Sequence, residues 1–198
     1  MAEIDTLSIA IIKGSVRPGN YTGMAAALVA EELSRQPGVV VEMVDPEELG
    51  LALPGMPAQG DGAVRLRETV ARAAGVVLAT PEYHGSFSSV MKLVIENLGF
   101  PSALSGKPVS LLGVAAGAIG AIKSLEHLRG VCAHVGAIAL PLPVSVANVQ
   151  KVFDTEGRCL DAEVERRIRM AATNLTDYLR GHVCPAIQLE RLLRGDAA

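Results

Sequence analysis

Five short apolar runs, each followed by a segment with helical spacing, constrain the fold of this chain more than any other feature. Residues 7–12, 39–44, 75–80, 107–114 and 137–140 have the length and β-branched content of strands. Between them apolar residues recur at three- and four-residue intervals. Ala26, Val29, Ala30 and Leu33 share one face, as do Val90, Leu93, Val94 and Leu98, and then Leu125, Leu128, Cys132 and Val135. A last stripe of Val164, Ile168, Ala171, Leu175 and Leu179 has Gly181 as its expected terminator. Runs that are apolar throughout belong to strands buried on both faces. The pattern predicts an α/β three-layer sandwich: a five-stranded parallel sheet in the order 2-1-3-4-5, with helices on both faces. One domain is expected over residues 1–198, with its core at about 7–180 and a C-terminal tail over 181–198.

Composition narrows the function classes. Aromatic residues make up 3% of the chain and tryptophan is absent, so the core must be aliphatic. A net charge of -3 gives no electrostatic reason to bind nucleic acid or an anionic membrane. Cys132, Cys159 and Cys184 are far apart and form no Cys-x-x-Cys pair, so no metal site or disulfide framework is expected and a cytoplasmic location fits. The uncharged stretch 130–150 is long enough for a membrane span, which takes about 20 apolar residues. Pro141 and Pro143 interrupt it, and it carries His134, Asn148 and Gln150, so no span is expected. No basic-then-apolar leader is read at the start.

In a parallel sheet the strand-to-helix turns lie on one edge, so the turns after the first, third and fourth strands converge. The first, Gly14 to Thr22, precedes a helix N-terminus, whose unpaired N–H groups and partial positive charge suit phosphate. Ser15 and Thr22 offer hydroxyls, Asn20 an amide, Arg17 a guanidinium, and Gly19 room for close approach. The plainer alternative is that Asn20 or Thr22 caps the helix and Arg17 is solvated. A nucleotide triphosphatase loop is excluded because Asn20-Tyr21 stands where Lys and Ser/Thr are needed, and the dinucleotide fingerprint fails at Val16. The second turn, Pro81 to Ser86, offers Tyr83 as a flat aromatic, Gly85 as a flexible point and backbone amides for a planar ring. Glu82 reads equally as a helix-start charge, and His84 as a solvent-facing turn residue. The third, Ala115 to Gly120, has small side chains that admit a ligand or simply allow tight helix–sheet packing.

Together these segments resemble the NADPH-dependent FMN reductase family of flavodoxin-like proteins. Gly14-Ser-Val-Arg-Pro-Gly-Asn-Tyr-Thr22 is similar to that family's phosphate loop. Thr80-Pro-Glu-Tyr-His-Gly-Ser-Phe-Ser-Ser-Val-Met-Lys92 resembles its Pro-Glu-Tyr-Asn-Gly-Ser signature, and Ala115-Ala-Gly-Ala-Ile-Gly120 its third flavin loop. The similarity runs from about Ile9 to Pro141. It implies that Ser15, Arg17, Asn20 and Thr22 hold the FMN phosphate. Pro81, Glu82, Tyr83, His84, Gly85 and Ser86 would line the isoalloxazine, and Gly117 and Gly120 would meet its pyrimidine side. Asn20 and Thr22 depart from the usual Ser and Asn, His84 from Asn, and Ala115 and Ala116 from a common Ser.

The implied activity is hydride transfer from NADPH or NADH to flavin and then to a small-molecule electron acceptor: a quinone, azo compound, free flavin or oxidised metal ion. Because the cofactor carries that chemistry, no separate catalytic acid, base or nucleophile is expected. The resemblance also implies a homodimer or homotetramer, with the third helix as a place for the contact. The alternative in another class is a one-electron flavodoxin-type carrier without a nicotinamide site. A flavin-free binding or regulatory protein on the same fold is a third.

Overall fold

The computed structural model describes residues 6–194. Its sheet is made of β1 (Leu7–Lys13), β2 (Val39–Val44), β3 (Gly75–Tyr83), β4 (Ser86–Phe87), β5 (Pro108–Val114), β6 (Ile138–Ala139) and β7 (Val144–Val146). The strands lie in the order β2-β1-β3-β5-β6, all parallel, and β7 continues beside β5 beyond β6. This is the expected flavodoxin-like order, but the sheet has seven strands where five were expected.

Both differences have local causes. The run at 137–140 breaks after Ala139 because Pro141 and Pro143 carry no N–H for the ladder, and Leu142 between them takes a φ of 61°. The chain rejoins β5 at Leu112↔Val144. The third strand, in turn, runs on through Pro81-Glu82-Tyr83 and folds back as β4, pairing Glu82↔Phe87 and Tyr83↔Ser86. What reads as a turn from Pro81 to Ser86 is therefore a two-residue hairpin. Its tip residues His84 and Gly85 have φ of 51° and 74°. Two positive φ values make the turn that matches strand twist, the geometry that favours Asn-Gly.

The helices are α1 (Tyr21–Ser34), α2 (Gly62–Arg72), α3 (Ser89–Asn97), α4 (Ile122–His134), α5 (Val149–Val152), α6 (Ala162–Tyr178) and α7 (Cys184–Arg194). Ile9, Ile11, Val77, Ala79, Leu112 and Val114 pack with α1 and α6 on one face. Ala10, Ile12, Val76, Leu78, Val109 and Leu111 pack with α2, α3 and α4 on the other. Successive strand residues point to opposite faces, and both faces are covered, which is why the runs are apolar throughout. Glycine sets one of the closest approaches: a Cβ at Gly113 would lie 2.6 Å from Ala121 Cβ and 3.0 Å from Leu125 Cγ.

Two expected boundaries move. The long loop after β2 contains a 3-10 turn over Pro46–Leu49, capped by the Asp45 carboxylate. Gly181 does not stop the last stripe, because a glycine ends a helix by turning left-handed and Gly181 is not among the positive-φ residues. The chain instead passes through a π turn over Leu179–Val183, anchored by buried Leu179, and continues as α7. The tail expected over 181–198 is thus helical as far as Arg194.

The hairpin tip is directly testable. A β-branched side chain resists positive φ, so His84→Val is expected to lower stability by about 1–2 kcal/mol in urea denaturation. His84→Asn should match or exceed the native value. Equal losses in both variants would contradict the left-handed tip.

Candidate functional site

The site begins at Gly14, the residue at which β1 leaves the sheet. Its N–H donates to Ala79 O at 2.6 Å, and its C=O accepts from Ser88 Oγ at 2.5 Å. A Cβ here would sit 2.8 Å from Ala79 O, so the first loop can lie this close to β3 only with glycine. Ser88 is buried and also caps α3, accepting from Met91 N at 3.0 Å. Its own N–H donates to Thr80 Oγ1 at 3.1 Å, and that hydroxyl donates to Pro81 O at 3.0 Å. Neither Ser88 nor Thr80 is singled out by the sequence. A serine just ahead of a helical stripe is a capping signal for Ser88, but nothing local points to Gly14 as its partner.

Beyond Gly14, no backbone N–H from Ser15 to Thr22 donates to another described residue. The first turn of α1 carries no acidic side chain. Asn20 is committed to shaping the loop: its Oδ1 caps Gly23 N at 2.7 Å and its Nδ2 donates to Arg17 O at 2.6 Å. The capping alternative therefore holds for Asn20. It does not hold for Thr22, which is buried one position inside the helix. The hydroxyls of Ser15 and Thr22 bond to no described residue, yet among the described residues no enclosed side-chain polar atom lacks a partner, so both keep access to the loop surface. The Arg17 guanidinium carbon lies 4.9 Å from the Tyr83 ring centroid, a cation–π contact that joins the first loop to the hairpin. Free amides, a helix N-terminus, two hydroxyls and a guanidinium make a donor set that fits a phosphate monoester.

The hairpin is tied to the third loop in turn. Glu82 accepts from Ser124 N at 3.0 Å in the first turn of α4, a helix whose own N-cap, Ala121, supplies no side-chain bond. A carboxylate at a helix N-terminus is favourable both as acceptor and as charge. Glu82 is a helix-start charge, as one reading had it, but for α4 and not for the adjoining helix. Ser86 Oγ lies 3.1 Å from His127 Nδ1 on the same helix.

In the third loop, Gly120 is buried at φ 81°, and a Cβ there would meet Ser145 Oγ at 2.5 Å. That hydroxyl accepts from Ala121 N at 2.9 Å, fixing the start of α4. The Gly117 carbonyl accepts from Gly120 N and Asn148 N, while its α-carbon faces open space. Ser145 and Asn148 come from beyond the Pro141 break, and no sequence signal connects them to this loop.

The structure thus joins the first and second segments through Gly14–Ser88 and Arg17–Tyr83, and the second and third through Glu82–Ser124. Pro81 is buried under the edge; Tyr83 and His84 are exposed at the rim. Among the described residues no group of three or more His, Cys, Asp or Glu could hold a metal ion. Burial pushes the Cys132 thiol up to about 11, which leaves it without nucleophilic thiolate near neutral pH. The arrangement sets a group of hydrogen-bond donors that fits an anion beside a flat polar rim.

Removing the cap in Glu82→Ala is expected to cost about 1 kcal/mol in urea denaturation and to speed amide exchange at Ser124. Glu82→Gln keeps the acceptor oxygen and should recover most of the loss.

The family model for NADPH-dependent FMN reductases matches residues 7–151. An NAD(P)H-dependent FMN reductase of Pseudomonas aeruginosa is 31% identical over 181 residues, covering 89% of this chain and 97% of the relative. A 2-hydroxy-1,4-benzoquinone reductase of a Burkholderia species is 27% identical over 179 residues, 88% of this chain and 97% of its own. An NADPH azoreductase of a Bacillus species is 35% identical over 140 residues, 70% and 75% of the two chains. The solved structure of an NAD(P)H:acceptor oxidoreductase from Paracoccus denitrificans shares the fold, with a TM-score of 0.72 at 19% identity over 89% of this chain and 98% of that one. The matched span contains the Gly14 loop, the hairpin and the loop before α4, and the chain belongs to the NADPH-dependent FMN reductase family.

Proposed function

We propose that the three joined loops form the FMN site of an NAD(P)H oxidoreductase. The observation that carries this reading is the set of unpaired amides of Ser15, Val16, Arg17, Gly19, Asn20, Tyr21 and Thr22, held beside the hairpin by Gly14. These amides, with Ser15, Arg17 and Thr22, bind the phosphate, and Asn20 keeps the loop in the shape that exposes them. Pro81, Glu82, Tyr83, His84, Gly85 and Ser86 form the wall against the isoalloxazine. Gly117 leaves backbone accessible on its pyrimidine side, and buried Gly120 shapes the loop behind it.

Bound FMN supplies the hydride-accepting and electron-donating chemistry. The chain's own residues anchor, orient and leave one side of the ring open to NADPH or NADH and then to an electron acceptor. The relatives' names favour a quinone or an azo compound as that acceptor.

The assembly we propose is a homodimer, or a tetramer built from it. A groove of about 860 Å³ between α3 and α4 is lined by Phe87, Ile95, Phe100, Val131 and Val135. Phe100 is fully exposed at its rim. Apolar side chains of both helices, interleaved with Lys92, Glu96 and Glu126 that can pair across a two-fold axis, suit the same surface of a second copy. Cys132, Cys159 and Cys184 are free, which suits a reducing cytoplasm. Among the described residues no helix is long and apolar enough to cross a membrane.

The purified protein should be yellow and should bleach when NADPH or NADH is added without oxygen. A colourless protein that takes up no FMN contradicts the reading. Arg17→Ala should weaken FMN binding by about tenfold while leaving riboflavin affinity nearly unchanged, because the lost contact is a charge-assisted one to phosphate. Equal loss for both ligands would move Arg17 off the phosphate. In light scattering, Phe100→Asp should shift the native assembly toward monomer, and an unchanged mass would contradict the α3–α4 contact.

A further inference from the structure

Three side chains between the third loop and the hairpin sit where the fold gains little from them. Gly120 N donates to Gly117 O, which closes a turn with Ala118 and Ile119 as its central residues. Gly, Pro, Asn and Asp suit such positions, and a β-branched apolar residue does not. Ile119 nevertheless stands there with 79% of its surface in water. Ile122, the first residue of α4, is 47% exposed. Lys123 follows it in the first helical turn, where the partial positive charge of the helix end disfavours a cation.

The fold supplies Lys123 with no counter-charge. Glu82, the carboxylate of the adjoining hairpin, accepts from Ser124 N–H, and among the described residues Lys123 Nζ has no hydrogen-bond or ion-pair partner. Its stem is placed all the same: a Cβ at Gly85 would lie 3.6 Å from Lys123 Cδ. A lysine stem laid along the hairpin tip keeps its ammonium group, two bonds further on, at the rim with exposed Tyr83 and His84. A single exposed apolar residue is ordinary on any surface. Here two of them flank the turn at Gly117, whose α-carbon faces open space, and an unpaired cation adjoins them.

We propose that Ile119, Ile122 and Lys123 select the electron acceptor: an apolar lip with a cation beside it takes a flat aromatic acceptor that carries a sulfonate or carboxylate group. This rests on the placement of FMN proposed above, with the hairpin as one wall and the third loop at the pyrimidine side, so that the three residues border the ring where those two loops meet. The aromatic body of such a molecule covers the isoleucines, and its acidic group meets Lys123. A neutral quinone uses the lip alone. A metal cation gains nothing from the lip and is repelled by Lys123, and also by Arg17 over the Tyr83 ring.

The test is equilibrium dialysis of the oxidised, FMN-loaded protein against two probes with the same ring system, anthraquinone-2-sulfonate and its neutral 2-hydroxymethyl analogue. Flavin content and mass by light scattering are read on the same samples. The native protein should bind the sulfonate about tenfold more tightly than the neutral analogue, the size expected of one charge-assisted contact. Lys123→Gln should bring the two affinities within about twofold of each other. Ile119→Ser should weaken both probes by about fivefold, because it removes apolar contact and leaves the charge. A tenfold preference that survives in Lys123→Gln overturns the proposal. So do native affinities for both probes in Ile119→Ser; a lower mass in that variant would then make the lip an interface between copies. A native protein that holds FMN and binds neither probe overturns it as well. A native protein that takes up no FMN overturns the reading of the site itself.

Discussion

The peptide unit of Gly14 is held from both sides: its N–H by the end of β3 and its carbonyl by the serine that starts α3. Everything else at the sheet edge depends on that double attachment. It places the free amides of the first loop beside the hairpin, and it does so with buried hydrogen bonds, which cost far more to leave unmade than they contribute when made. A side chain at residue 14 would push the loop off Ala79, and a side chain without a hydroxyl at residue 88 would leave the carbonyl unpaired. The proposed anion site would thus be a consequence of how two strand ends meet, with the loop's own residues needing only to keep their amides free.

The same economy appears along the rest of the edge. The hairpin tip takes two positive φ values, which lets β3 reverse at once and brings Glu82 to the first turn of α4. Ser145, arriving after the proline break, fixes the residue just before that turn. Side chains from elsewhere, Glu82 and Ser145, meet the start of α4 and tie it to the hairpin and to the third loop. In the proposed site, the residues that would contact a ligand and those that build the wall are partly different sets. Asn20 and Glu82 spend their side chains on the wall.

The order of strands was not read from the residues, and the flavodoxin-like order came only from their number. That the sheet is parallel and covered on both faces was legible in the sequence because its inner strands are apolar throughout. The helical stripes were legible for the same reason, with Ile168, Ala171 and Leu175 buried as their spacing requires. Proline at 141 and 143 was read as excluding a membrane span, and its second consequence, two short strands in place of one, follows from the same missing N–H groups. Gly181 misled because glycine permits a left-handed stop without requiring one. At the site, residue type showed that Asn20 could cap or bind and that Glu82 could serve a helix start; only the fold decides which. Ser88, Thr80 and Ser145 were silent because their partners lie far away in the chain.

Backbone amide chemical shifts of the nitrogen-15-labelled, flavin-free protein, followed during titration with FMN and separately with riboflavin, test the central claim most directly. The account predicts that the amides of Ser15 to Arg17 and of Gly19 to Thr22 move with FMN and stay in place with riboflavin, while those of the hairpin and of Gly117 to Gly120 move with both. Equal responses of the first loop to the two ligands, or none to FMN, would contradict it.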